Sequence, residues 1–123
     1  MANDYDTTAK DVMVNALAAV MTSDHLHTAD PGAANSNTAE ITGGSPAYAR
    51  KTSLWNTASG GAVDDNNGAG LVFDIPAATT VAWASFWNAA NTVRYMKKQV
   101  TSEVFGAQGT YTLTDIDFDL NDP

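Results

Sequence analysis

Val12, Met13, Ala16, Leu17, Val20 and Met21 recur at the spacings that line up apolar side chains along one side of a helix. With Thr7 or Thr8 as cap and Asp11 in the first turn, this predicts a helix over about residues 7–23. From His25 onward the period falls to two. His25–Thr28 reads as a short strand stopped by Asp30-Pro31-Gly32, and Tyr48–Trp55 alternates well enough for another. Leu71, Phe73 and Ile75 alternate with Val72 and Asp74 until Pro76 ends the run. Val81, Trp83, Ser85 and Trp87 share one face of the next strand, with Ala82, Ala84 and Phe86 on the other. Both faces therefore demand cover.

Val93, Tyr95 and Lys97-Lys98 predict a further strand, followed by Val100 and Val104-Phe105. Tyr111 and Leu113 alternate with threonines, and Ile116, Phe118 and Leu120 alternate with aspartates. Gly60-Gly61, Asp64–Gly68 and Gly106–Gly109 punctuate these runs as turns. One helix followed by about seven short antiparallel strands predicts a mainly β fold. The expected form is a β-sandwich or jelly-roll-like single domain over 1–123, with its β-rich part at 25–120. A second β-α unit is missing from the pattern, which argues against a doubly wound sheet.

Composition narrows the function. Fourteen acidic residues against six basic give a net charge of −8, a field that opposes contact with nucleic-acid phosphates. There is no cysteine, so disulfides and thiolate chemistry are excluded. Val12–Met21 is too short to span a bilayer and carries Asn15, and MANDYDTTAKD is acidic where a secretory signal would be basic. A soluble product of the cell interior, or one released by cell lysis, without membrane insertion, is expected.

The stretch EITGGSPAYARK places two glycines, a serine and a proline ahead of Arg50-Lys51. A phosphate loop needs G-x-x-x-x-G-K-[ST] leading into a helix, whereas Pro46 removes an amide and a β-like run follows. The stretch is expected to be a corner leading into a strand. His25 and His27 would point to the same side of a strand, but zinc takes three or four ligands, and Asp24 and Asp30 have no characteristic spacing. The pair is expected to line an interface or to bond loop backbone. Asp115-x-Asp117-x-Asp119 resembles the start of a calcium loop without its glycine and distal glutamate, and reads instead as the wet face of a strand. Nucleophile elbows are missing, and Glu40 and Glu103, the only glutamates, lie far apart. Neither an enzyme nor a cofactor is expected. Trp83 and Trp87 are candidates for burial in the core of a central strand, for burial against a neighbouring subunit, or for a carbohydrate-stacking platform.

In order along the chain, TTAKDVMVNALAAVMT, HLHTADPG, GGSPAYARK, FDIPAATTVAWASFWNAA and EVFGAQGTYTL resemble a family of small structural proteins of tailed bacteriophages. That family comprises tail-fibre or minor tail proteins and related capsid decoration proteins. The segment NTVRYMKKQVTS departs from it, since members more often carry a glycine-rich hairpin there. The resemblance implies a virion component assembled in the host cytoplasm, without catalytic or metal residues. It would bind itself, as a trimer if it belongs to the tail, and other virion proteins such as tail or major capsid protein. Arg50 and Lys51 are then expected to pair with acidic residues of a neighbouring subunit, with Trp83, Trp87, His25 and His27 as further interface candidates.

Overall fold

A computed structural model of the chain describes residues 5–64, 71–114 and 117–119. Most of the expected 64–68 turn, Asp115, Ile116 and Leu120 lie outside the described residues.

The mainly β architecture is as expected, with one helix at the start. Helix α1 (Thr7–Val20) is followed among the described residues by β1 (Ser23–His27), β2 (Lys51–Thr52), β3 (Ala62–Asp64), β4 (Leu71–Ile75), β5 (Thr79–Trp87), β6 (Arg94–Phe105), β7 (Gly109–Leu113) and β8 (Asp117–Asp119). All pairings are antiparallel. Four strands form a sheet in the order β2-β1-β5-β6, and two ribbons join β4 to β7 and β3 to β8.

Period two fixes what each face of the sheet carries. In register, Leu26 lies opposite Ala84 and Asp24 opposite Phe86 on one face, while His25 lies opposite Ser85 and His27 opposite Trp83 on the other. The first face packs with Phe73, Ile75 and Leu113 of the β4–β7 ribbon, and Met21, Ile41, Val81 and Phe105 complete that core. The second face is covered by the loop that follows β1. β5, lying between β1 and β6, is therefore buried on both sides, as its sequence demanded.

Several expectations are corrected. The helix caps at Asp6 without a side-chain bond, and Asp11 lies beyond the first turn, where its Oδ1 accepts from the Gly61 amide at 2.7 Å. Its buried residues are Val14 and Ala18, with Leu17 half-buried, whereas Val12, Met13 and Val20 face outward. The helix is apolar nearly all round, so spacing could not choose the inward side; contact with Trp55 and Ala58 does. Tyr48–Trp55 contains only the two-residue β2, because its side chains serve as anchors: Tyr48 Oη bonds the Leu26 amide, Ser53 Oγ bonds Asp24, and Trp55 Nε1 donates to Met21 O at 2.8 Å.

The Gly43–Pro46 corner is present. Gly43 and Gly44 have φ of 89° and 95°, and a Cβ on Gly44 would meet Gln108 Oε1 at 2.7 Å. Ser45 N donates to that same Oε1, so this amide is committed within the chain rather than free for an anion. The expected strand does not follow directly, since Tyr48–Arg50 is irregular.

Candidate functional site

The densest chemistry lies on the second face of the sheet, under residues 28–41. Strand alternation brings His25 and His27 there, and pairing with β5 adds Ser85 and Trp87. Both histidines and Ser85 are fully buried, and Trp87 is nearly so.

His27 Nδ1 lies 2.9 Å from Thr38 O, a pure acceptor, so Nδ1 carries the proton and donates. Nε2 is then an acceptor, and the Ser85 hydroxyl 2.7 Å away donates to it. Trp87 Nε1 in turn donates to Ser85 Oγ at 2.7 Å. The result is a directed chain from Trp87 through Ser85 and His27 to Thr38. A serine hydroxyl donating to an imidazole is the opening geometry of nucleophilic catalysis. Here, however, the histidine's second nitrogen faces a loop carbonyl rather than a carboxylate, and both side chains are fully buried. Burial lowers the His27 pKa below its ordinary value, outweighing the Thr38 bond and Glu40, which act to raise it.

His25 stacks on Trp87 with ring centres 4.9 Å apart. Its Nδ1 meets Asn37 Oδ1 at 2.9 Å, and its Nε2 meets Asn91 Oδ1 at 2.8 Å. Asn37 Nδ2 donates to Glu40 Oε1 at 2.6 Å, which orients that amide. Glu40 is the hub. Arg50 grips its carboxylate with Nε at 2.9 Å and Nη2 at 2.8 Å, and the Tyr48 hydroxyl donates to Oε2 at 3.0 Å. Burial acts to raise the Glu40 pKa, but bonds from Arg50 and Asn37 and the charges nearby overcome it and hold the value at about 2. Burial also pushes the Tyr48 phenol well above its usual range, so it remains a donor.

Arg94 closes the layer from β6. Its guanidinium donates to the carbonyls of Ser36, Gly32 and Ala33 at 2.5, 2.8 and 2.9 Å. Lys97 bonds Asp30 Oδ1 at 2.7 Å and rests 5.6 Å from the centre of a Trp83 ring. Among the described residues, every buried side-chain nitrogen or oxygen has a partner. This arrangement can hold a loop on a sheet.

The six expected interface residues therefore separate. His25, His27 and Trp87 are inside the chain: of the two expectations for the histidines, His27 meets the loop-backbone one through Thr38 O and neither lies at a subunit surface, while Trp87 is buried in a central strand and is no sugar platform. Arg50 spends its charge on Glu40 of its own chain. Trp83 is half-buried beside Lys97. Lys51 is half-buried and helps line a shallow cleft of about 210 Å³ with Arg50, Ser23 and Thr52. The sequence reading missed Glu40, Asn37, Asn91 and Arg94 as organising residues. The one available signal was that Glu40 is among only two glutamates.

Among the described residues, no group of three or more His, Cys, Asp or Glu side chains is placed to hold a metal ion, and no helix is long and apolar enough to cross a membrane. No protein-family model, curated protein or solved structure matches the chain.

Proposed function

We propose that this chain is a non-enzymatic structural component of a tailed-bacteriophage virion, of the tail-fibre or minor tail type. It acts by packing against copies of itself and against other particle proteins. One observation carries the reading: the serine and the two histidines are turned inward and saturated, while several large apolar side chains outside the core are turned outward. Ser85, His25 and His27 are sealed, yet Val12, Leu54 and Val104 are 65, 47 and 76 % exposed. Val12, Met13, Ala16, Ala19 and Val20 share one outward side of α1, a contiguous apolar strip of the kind that marks contact surfaces. The order of segments along the chain, which resembles small phage structural proteins, supports the same reading.

Quantitative protein staining of purified particles tests it. A few copies per particle are expected. Hundreds would move the protein to the capsid lattice as a decoration protein, and absence from particles would refute a virion role.

A further inference from the structure

His25 and His27 lie two residues apart on one face, yet their surroundings make opposite demands on protons. His27 has one partner that accepts and one that donates, the pattern a neutral imidazole satisfies. His25 has two that accept. Its Nδ1 lies 2.9 Å from Asn37 Oδ1, and its Nε2 lies 2.8 Å from Asn91 Oδ1. Neither amide is free to turn over. Asn37 Nδ2 donates to the Glu40 carboxylate, which only accepts, so the Asn37 oxygen must face the ring. Asn91 Oδ1 also accepts from Ser23 Oγ at 2.6 Å, while its Nδ2 reaches Ala89 O at 3.4 Å. Turned over, Asn91 would set two carbonyl oxygens against each other and take the acceptor from Ser23. A neutral ring has a single N–H and can meet only one of the two Asn oxygens.

We propose that His25 is held as an imidazolium, and that its Nε2 proton is a latch tying the turn between β5 and β6 to β1 and the 28–41 loop. Two further contacts favour a cation here. The Glu40 carboxylate lies 3.5 Å from Nδ1. The ring also lies nearly parallel to the Trp87 indole, with 10° between planes and centres 4.9 Å apart, inside the range of about 6 Å over which an aromatic face attracts a cation. The buried charge is thus paired, and hydrogen-bonded at both nitrogens.

The other charged or titratable groups nearby leave this assignment intact. His27, with ring centres 6.3 Å away, is kept neutral chiefly by burial, and charge on His25 and Arg94 acts in the same direction. Arg50 and Tyr48 bond Glu40 rather than the ring, Lys97 pairs with Asp30, and Asp24 lies on the opposite face of the sheet. Removing the Nε2 proton would leave lone pairs of Nε2 and Asn91 Oδ1 facing each other at 2.8 Å. Asn91 must then swing away, and its bond from Ser23 goes with it. The turn itself keeps two backbone bonds, Asn91 N to Asn88 O at 2.9 Å and Asn88 N to Val93 O at 3.0 Å. What lets go is the side-chain link across to β1.

Long-range proton–nitrogen correlation spectra of the isotope-labelled full chain test this, followed from neutral to alkaline pH. At neutral pH, His25 is expected to show the closely spaced ring-nitrogen shifts of an imidazolium, and His27 the widely split pair of a neutral ring protonated at Nδ1. As base removes the His25 proton, the Asn91 side-chain amide and Ser23 resonances should move with the same midpoint. Asn91→Asp supplies a stronger acceptor and should move that midpoint up. Asn91→Gly, which accepts the φ of 58° at this position without a side chain, should move it down. A widely split His25 pair at neutral pH would overturn the imidazolium. Asn91 and Ser23 signals that ignore the loss of the proton, or a midpoint that both variants leave in place, would overturn the latch.

Discussion

Replacing Glu40 by glutamine removes the charge at the hub of the buried layer while keeping its shape. The carboxyl titrates near 4.5 when unperturbed and at about 2 in the fold. That difference corresponds to about 3 kcal/mol of stability at pH 7. The figure is an upper bound, because the Arg50 side of the pair is 39 % exposed and partly screened by water. A loss of about 2 kcal/mol is therefore expected for Glu40→Gln at pH 7. The sign with pH follows from a depressed carboxyl: its contribution is complete above about 4.5 and disappears as pH falls through about 2. Urea unfolding followed by circular dichroism should show wild type and variant separated at pH 7 and converging towards pH 2. Taking the difference between the two curves cancels the other carboxylates, including Asp30, whose pKa is lowered by its bond to Lys97. A gap that stays constant across this range, or no gap at pH 7, would refute the role given to Glu40.

Tyr48→Phe removes the hydroxyl that accepts from the Leu26 amide and donates to Glu40, leaving a buried donor unmet. A loss of about 1–3 kcal/mol is expected in the same assay. The His27 pKa is depressed, so its contribution is complete above 6.5 and is lost as pH falls through the lower folded value. Replacement by glutamine should flatten the stability curve on the acid side of 6.5, and an unchanged slope there would count against the burial argument. Arg94→Ala should speed amide exchange at Ser36 and Thr38, whose protons bond within the loop, while leaving β4–β7 amides unchanged. Equal acceleration in both places would mean that Arg94 supports the whole fold rather than the loop.

The parts of the fold that were legible in the sequence are those where one local pattern allows one answer. Leu71–Ile75 alternates cleanly and is a strand, and the alternating runs from Val81 to Trp87 and from Tyr111 to Leu113 each lie within one, although Val81 turns to the Ala84 and Phe86 side and Gly109, expected in a turn, opens the last. Trp83, Ser85 and Trp87 opposite Ala84 and Phe86 required two covered faces, and β5 has them. Legibility failed where local pattern was silent or double. The apolar residues around α1 offered two inward sides. Tyr48, Ser53 and Trp55 looked like strand residues because aromatic and small polar side chains also suit strands, yet each is used as a tether to a distant backbone or carboxylate group. The buried layer could not be read at all. Its contacts join residues as far apart as His25 and Asn91, and spacing along a chain carries no signal for such a meeting. Two histidines on one strand face were visible in advance, but not that a glutamate and an arginine from a later loop would close around them.

The grip of Arg94 on Gly32, Ala33 and Ser36 also bears on how the chain reaches its final shape. The partners are about sixty residues apart in sequence, and Arg94 is in place only once β6 has joined β5. Entropy of loop closure must be met before those three bonds return anything, which favours slow, late docking of the 28–41 segment over early local ordering. A nascent chain that has emerged only as far as β5 would therefore leave its histidine face bare. In that interval the uncovered face is open to strands of other chains.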